Sequence, residues 1–405
     1  MVSNLQRTIA FSPPDISETE IAEVVDTLKS GWITTGPKTK LFEKKLSEYT
    51  GAPKTACLSS ATAAMELVLR LLEIGPGDEV ITTPYTYTAS ASVIDHVGAK
   101  IVMVDLAPGS FEMDYTKLAA AINEKTKAII PVDIGGRLCD YDAIYKTVNE
   151  KQNLFKPSSE LQKLFNRVVV LADSAHSFGA KYKGKISGTI ADFTTFSFHA
   201  VKNLTTAEGG ALQWRGDVGL DDEWLYKQIM LYSLHGQSKD ALAKTKAGSW
   251  EYDIIYPAYK SNMTDITAAI GLAQLARYDG LVKRRREIAA VYDRVLKPAG
   301  IIRLEHKSGA SASCCHLYLA RVPGIGVQER NGIIEKLALA GISANVHYKP
   351  LPMMTAYKNK GFDIKDYPNA FAQYQNEITL PLHTLLSDGD AEYVAVNLLK
   401  AVGEI

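Results

Sequence analysis

The chain reads Phe196-Ser197-Phe198-His199-Ala200-Val201-Lys202-Asn203-Leu204-Thr205-Thr206-Ala207-Glu208-Gly209-Gly210 near its middle. The apolar, β-prone run Phe193 to Phe198 leads into a polar turn that carries one lysine and closes on two glycines. A second such run, Val168 to Ala172, ends at Asp173. A strand-end lysine alone also fits a surface charge with a buried stem. Paired with a strand-end carboxylate, it fits the demands of pyridoxal phosphate: Lys202 would bond covalently to the aldehyde, and Asp173 would keep a proton on the pyridine nitrogen.

Short apolar runs alternate with helical patterns outward from this centre. Thr55 to Leu58, Glu79 to Thr82, Lys100 to Asp105, Lys127 to Val132 and Val168 to Ala172 read as strands; Ala61 to Leu72, Ala89 to Val97, Thr116 to Asn123 and Tyr141 to Asn149 read as helices. Strands apolar on both faces and separated by helices predict an α/β fold with a mainly parallel central sheet and helices on both faces. Ligands of such sheets bind beyond the strands' carboxyl ends, where Ser60, Asp173 and Lys202 fall. Ser17-x-x-Glu20 is a capping box, and Gly31 closes the helix it opens. Ser59-Ser60-Ala61-Thr62, at a strand-to-helix junction, offers free amides and hydroxyls to a phosphate, although an ordinary helix cap would use the same residues. Glu208-Gly209-Gly210 allows tight backbone turning, which serves structure as well as a ligand.

Beyond Tyr256 the texture changes. A long helix is predicted from Thr264 to Leu296, in which Lys283-Arg284-Arg285-Arg286-Glu287 reads as a solvated face. A strand at His316 to Val322, a helix at Glu329 to Leu339, a strand at Ser343 to His347 and a last helix from Asp388 follow. The expected division is a large domain over residues 1–255 and a smaller C-terminal α+β domain over residues 256–405. The polar segment from Glu150 to Asn166 has no functional reading.

Lys plus Arg and Asp plus Glu both number 45, so no basic surplus points to nucleic acid or anionic lipid. The four cysteines lack paired spacing, which argues against disulfides and zinc. Residues 1–14 do not read as an export signal, and no run reaches the roughly 18 apolar residues of a membrane span. A reducing cytoplasm is the expected home.

The lysine segment closely resembles the motif Ser-Phe-His-x-x-Lys-Asn-x-Thr-x-x-Glu-Gly-Gly of the DegT/StrS family of nucleotide-sugar aminotransferases. Gly31 to Pro37, Ser59 to Ala63, Ala172 to His176, Tyr259 to Ile266 and Val346 to Tyr348 extend the likeness along nearly the whole chain. The resemblance implies the fold-type I architecture, pyridoxal 5′-phosphate as cofactor and L-glutamate as amino donor. It implies that Ala61, Thr62 and Ser197, beside Ser60, hold the cofactor phosphate, that Tyr87 stacks on the pyridine, and that His176 contacts its phenolic oxygen, where a core histidine is the other reading. Asn262 would reach the phosphate of a partner subunit, making a homodimer with shared sites. Trp32, Thr35, Gly36, His199, His347 and Tyr348 would meet the sugar nucleotide.

The wording is most similar to members that aminate the 4-keto carbon of UDP-linked sugars, such as a 6-deoxy-N-acetylhexosamine, for surface polysaccharide. A 3-aminotransferase acting on a dTDP-keto-sugar, or a non-catalytic regulatory homologue, are the alternatives; Lys202 argues against the dehydratase branch. One departure is Asp133, in Val132-Asp133-Ile134-Gly135-Gly136-Arg137, where relatives commonly carry histidine. Arg137 is its expected ion-pair partner.

Overall fold

The computed structural model describes residues 7–217, 219–238 and 251–403; the first six residues of the N-terminal segment read above lie outside them. Its strands are β1 (Thr55–Leu58), β2 (Glu79–Thr82), β3 (Lys100–Met103), β4 (Thr126–Ile129), β5 (Val169–Asp173), β6 (Lys181–Tyr182), β7 (Lys185–Ile186), β8 (Phe193–Ser197), β9 (Gly210–Trp214), β10 (Ile302–Arg303), β11 (Lys307–Ser308), β12 (Ser311–Ala312), β13 (Tyr318–Arg321) and β14 (Glu377–Leu380). The helices are α1 (Glu18–Ser30), α2 (Pro37–Thr50), α3 (Ala61–Leu71), α4 (Ala89–His96), α5 (Tyr115–Ala121), α6 (Tyr141–Glu150), α7 (Glu160–Phe165), α8 (Asp222–Ser233), α9 (Asp265–Ala276), α10 (Tyr278–Leu296), α11 (Val327–Leu339), α12 (Thr355–Lys358), α13 (Pro368–Tyr374) and α14 (Asp388–Val402).

The central sheet has the order β1-β9-β8-β5-β4-β2-β3. It is parallel from β8 through β3, and β9 runs antiparallel to both its neighbours. Alternation along each strand feeds two cores. Val169 and Leu171 of β5 pack on one side with α3 and α4, while Val170 and Ala172 pack on the other with Phe42 of α2 and Ile144 of α6. A third core surrounds the antiparallel sheet β10-β13-β14 and joins residues of α10, α11 and α14 to Ile9. Thus an α/β sheet covered on both faces is followed by a smaller α+β unit.

The capping box forms as read, with Ser17 at the N-cap and Gly31 left-handed (φ 75°) after α1. The predicted helix from Thr264 to Leu296 is two helices, broken at Arg277 (φ −112°, ψ 8°). Arg277 turns out to pair with Asp15 and Glu20 beside α1, a long-range attachment that competes with helix continuity. α9 packs on α1 and α2, although the expected boundary at residue 256 assigns it to the second unit.

Within the Lys283–Glu287 run, Lys283, Arg286 and Glu287 are exposed as read and Arg284 is half-buried, but Arg285 departs from the solvated face. Arg285 is buried and donates to the carbonyl of Leu382 at 2.6 Å, while Arg286 donates to the carbonyl of Ser313. The Ser343–His347 segment makes only an isolated bridge, Asn345 to Thr379, and is not a strand. The Glu150–Asn166 segment is a brace: Ser159 Oγ and Gln162 Nε2 both donate to the carbonyl of Leu72, at the free C-terminal end of α3. All four cysteines are buried and unbridged. Among the described residues no helix is long and apolar enough to cross a membrane.

Candidate active site

The carboxyl ends of β1, β5 and β8 open into a cavity of about 490 Å³. Ser60, Ala61, Thr62, Tyr87, Asp173, His176, Ser197, His199, Lys202, His347 and Tyr348 all line it, together with Phe11 and His316 from distant parts of the chain. Eleven of the predicted site residues are therefore brought together, nine by loops and helix starts of the central sheet and two, His347 and Tyr348, by the segment beside β14.

Lys202 stands in a loop closed at both ends. Phe198 N–H donates to Gly209 O and Thr206 N–H donates to Phe198 O, each at 2.8 Å. The next residue, Asn203, anchors the loop across the molecule through Cys314 O (2.8 Å) and His316 Nδ1 (3.0 Å). Burial pulls the Lys202 amine down to about 8, against the opposing pull of the Asp173 carboxylate. A neutral, nucleophilic amine is thus accessible near neutral pH.

Asp173 is buried at the end of β5, which raises its pKa. Ser90 Oγ donates to it at 2.6 Å, Ala175 N–H at 3.2 Å, and Lys202 supplies positive charge, all favouring the carboxylate. Such a group can hold a proton on a ring nitrogen.

The start of α3 can be judged as a phosphate site by its donors. Ser60 caps α3 through Ala63 N–H (3.0 Å), which leaves the Ala61 and Thr62 amides without an intrahelical acceptor at the positive end of the helix. A Cβ at Gly210 would lie 2.3 Å from Ser60 C and 2.4 Å from Ala61 N, so β9 reaches this helix start only as glycine. With the hydroxyls of Thr62 and Ser197 on the same cavity, the donor set fits a phosphate monoester.

His176 uses both ring nitrogens within the protein. Its Nδ1 accepts from Gly135 N–H (3.2 Å), so the neutral ring carries its proton on Nε2 and donates to Tyr348 OH (3.1 Å). Burial holds its pKa well below the usual value, with Lys202 and His347 adding to the effect. The donor that His176 is expected to offer a cofactor oxygen points to Tyr348 OH, which lines the same cavity, and among the described residues no group accepts the Tyr348 hydroxyl proton. His347 stacks on Phe11 at 5.6 Å, and burial lowers it to about 4. Tyr87 is 62% exposed at the mouth, 6.2 Å from the Tyr348 ring. His199 lies 3.5 Å from Glu208.

Trp32, Thr35, Gly36 and Asn262 do not line this cavity. They form a separate cluster: Trp32 Nε1 donates to Thr35 O (3.1 Å), Asn262 Nδ2 donates to Thr35 Oγ1, and Gly36 N–H donates to Asp265 (2.8 Å). Gly36 is glycine because the Trp32 indole covers it. Asp133 is also not paired as expected. It is buried among Ser174, Ser177, Tyr141 and the Cys139 amide, which burial raises to about 6, whereas Arg137 pairs with Glu112 at 2.9 Å.

The sequence model of the DegT/DnrJ/EryC1/StrS aminotransferase family matches residues 14–399. The chain belongs to this family. As a DegT-family aminotransferase it uses pyridoxal phosphate. It is 38% identical to the spore coat polysaccharide biosynthesis protein SpsC of Bacillus subtilis, over 100% of this chain and 99% of that one. Among solved structures, the pyridoxamine-phosphate form of Spr1654 from Streptococcus pneumoniae, assigned as a sugar aminotransferase, shares 58% identity and a TM-score of 0.96, covering 98% of this chain and 100% of that one. Helicobacter pylori PseC, an aminotransferase involved in the biosynthesis of pseudoaminic acid, shares 28% identity and a TM-score of 0.85, covering 98% and 100%.

Two residues of this DegT-family site escape sequence reading. Ser90, the partner of Asp173, leaves only the weak signal of hydroxyls at Thr86 and Ser90, one helical turn apart. His316, with its ring 4.4 Å from that of His176, leaves none beyond a polar residue at the start of an apolar run.

Proposed function

We propose that this enzyme transfers an amino group from L-glutamate to the 4-keto carbon of a UDP-linked sugar, such as a 6-deoxy-N-acetylhexosamine, for surface polysaccharide. The observation that carries the reading is the single cavity in which Lys202, Asp173 and the α3 N-terminus face His199, His347 and Tyr348. The polysaccharide role of SpsC and the pseudoaminic acid role of PseC support a sugar substrate.

Pyridoxal phosphate, when bound, supplies an electron sink conjugated to the carbon that loses a proton. Ala61, Thr62 and Ser197 would bind its phosphate, Asp173 would hold a proton on its ring nitrogen, and Tyr87 would cover its face. Lys202 Nζ would bond to the aldehyde, be displaced by the incoming amine and then, as a neutral base, carry a proton between the substrate carbon and the cofactor. Tyr348, oriented by His176, would donate into the cavity. His199 and His347 would read the sugar.

The site is shared in a homodimer, with Asn262 and the Trp32–Gly36 cluster serving the neighbouring subunit. The outward apolar residues Ile21, Val25, Leu28 and Ile33, each at least 40% exposed, support such a contact. Mixing inactive Lys202→Ala and Asn262→Ala subunits restores activity if sites are shared, and a fully active monomer rejects the idea. For the substrate, NMR of the product formed from glutamate and a UDP-4-keto-6-deoxy-N-acetylhexosamine shows nitrogen on C4. Exclusive use of 3-keto or dTDP-linked sugars overturns the assignment.

A further inference from the structure

Behind His347 lies a buried chain of polar groups that the transamination scheme does not use. Glu377 and Thr379 project from the same face of β14, two residues apart, and both are fully buried. Glu377 Oε2 accepts from His347 N–H at 2.9 Å, and Glu377 Oε1 lies 2.6 Å from Thr379 Oγ1. Thr379 Oγ1 in turn lies 3.0 Å from His347 Nδ1. The bridge between Asn345 and Thr379, with N–H to O distances of 3.1 and 2.7 Å, fixes the 345–347 segment along the strand. Among the described residues no protein group hydrogen-bonds His347 Nε2, and the ring lines the cavity.

We propose that Glu377 and Thr379 are positioning residues that set which nitrogen of His347 carries the proton, and so whether the ring donates or accepts a hydrogen bond in the substrate cavity. The logic is one of proton counting. Thr379 has one hydroxyl proton and two neighbours. When Glu377 is ionised, Thr379 donates to it and must accept from His347 Nδ1–H, which leaves Nε2 a bare acceptor. When Glu377 is protonated, it donates to Thr379, Thr379 donates to Nδ1, and Nε2 carries the hydrogen. All three contacts survive in both states because Oε2 accepts from the His347 amide in either. Only the direction of donation reverses.

Burial pushes Glu377 up to about 8, against the opposing pull of Thr379, the His347 amide, Arg330 and Arg321; Tyr85 also packs near it. His347 faces Phe11, Tyr348, Lys202, His176 and His316 and stays neutral, so it holds one ring proton to place. Below the Glu377 transition the cavity is offered an N–H, suited to a carbonyl or phosphate oxygen. Above it the cavity is offered a lone pair, suited to a hydroxyl or ammonium.

The inference rests on this cavity being the substrate site, but its test needs no substrate. Holoenzyme labelled with [15N]histidine reports each ring tautomer by NMR, and His347→Gln assigns the signal. In the wild type, the His347 signal passes from the Nε2–H form to the Nδ1–H form as pH rises through about 8. In Glu377→Gln the side-chain carbonyl keeps the His347 amide and the NH2 group faces Thr379, so the ring is locked as Nε2–H on both sides of that pH. Thr379→Val removes the pH dependence, and Thr379→Ser restores it. A wild-type tautomer that stays constant through that transition overturns the proposal, whether or not the variants fold; so does a Glu377→Gln ring that still switches.

Discussion

Gly210→Ala isolates the close approach of β9 to the start of α3. The added methyl would lie 2.3 Å from Ser60 C, 2.4 Å from Ala61 N and 2.7 Å from Phe196 O. All three are backbone atoms, held by the β8–β9 ladder and by the Ala64 N–H to Ser60 O bond at 3.1 Å, so no rotamer change relieves the clash. Gly210 does not have a positive φ, so the penalty is steric rather than conformational. Overpacking of this kind costs about 1–3 kcal/mol. Because the strain falls on the amides that would face the phosphate, the loss divides between stability and cofactor affinity. If it falls wholly on affinity, the Kd for pyridoxal phosphate rises roughly 5- to 150-fold. Titration of cofactor-free protein by absorbance gives the Kd, and thermal unfolding of the same samples gives the stability share.

Gly216→Ala is the control. Gly216 is exposed and its added methyl would meet only Pro53 Cγ and Cβ, at 3.7 and 4.0 Å, so the expected loss is within about 0.5 kcal/mol. Wild-type Kd and melting temperature in Gly210→Ala, or an equal loss in both variants, refutes the reasoning.

Asp173→Asn preserves the shape beside Ser90 and Ala175 but removes the charge; it is expected to fold and to lose transamination by about 10²-fold or more, read by single-turnover kinetics, and near-normal turnover removes Asp173 from the mechanism. In cofactor-free protein, Lys202 is protonated below about 8 and neutral above it, so limited acetylation near that pH labels Lys202 ahead of lysines that stay protonated until higher pH. Peptide mass spectrometry reads the order, and labelling of Lys202 no faster than surface lysines contradicts a desolvated amine.

Much of this molecule is written in short-range signals. The Ser17-x-x-Glu20 box, Gly31, the strand runs and the lysine loop each depend on residues within a few positions, where backbone sterics and one or two hydrogen bonds decide the outcome. The sequence by itself therefore determined the α/β alternation, the strand-end placement of Asp173 and Lys202, and the Ser60 cap that starts α3 at the cavity. Tertiary structure decided what depended on partners far along the chain. Arg277 breaks a helix whose local pattern runs on, because Asp15 and Glu20 lie beside it. Arg285 is buried within a run that reads as solvated, because carbonyls 31 and 97 residues away accept its protons. Asp133 finds Ser174 and Ser177 instead of Arg137, and His347 finds Glu377 and Thr379. A buried polar group must be satisfied by whatever packing brings to it, and no local pattern in the sequence names that partner.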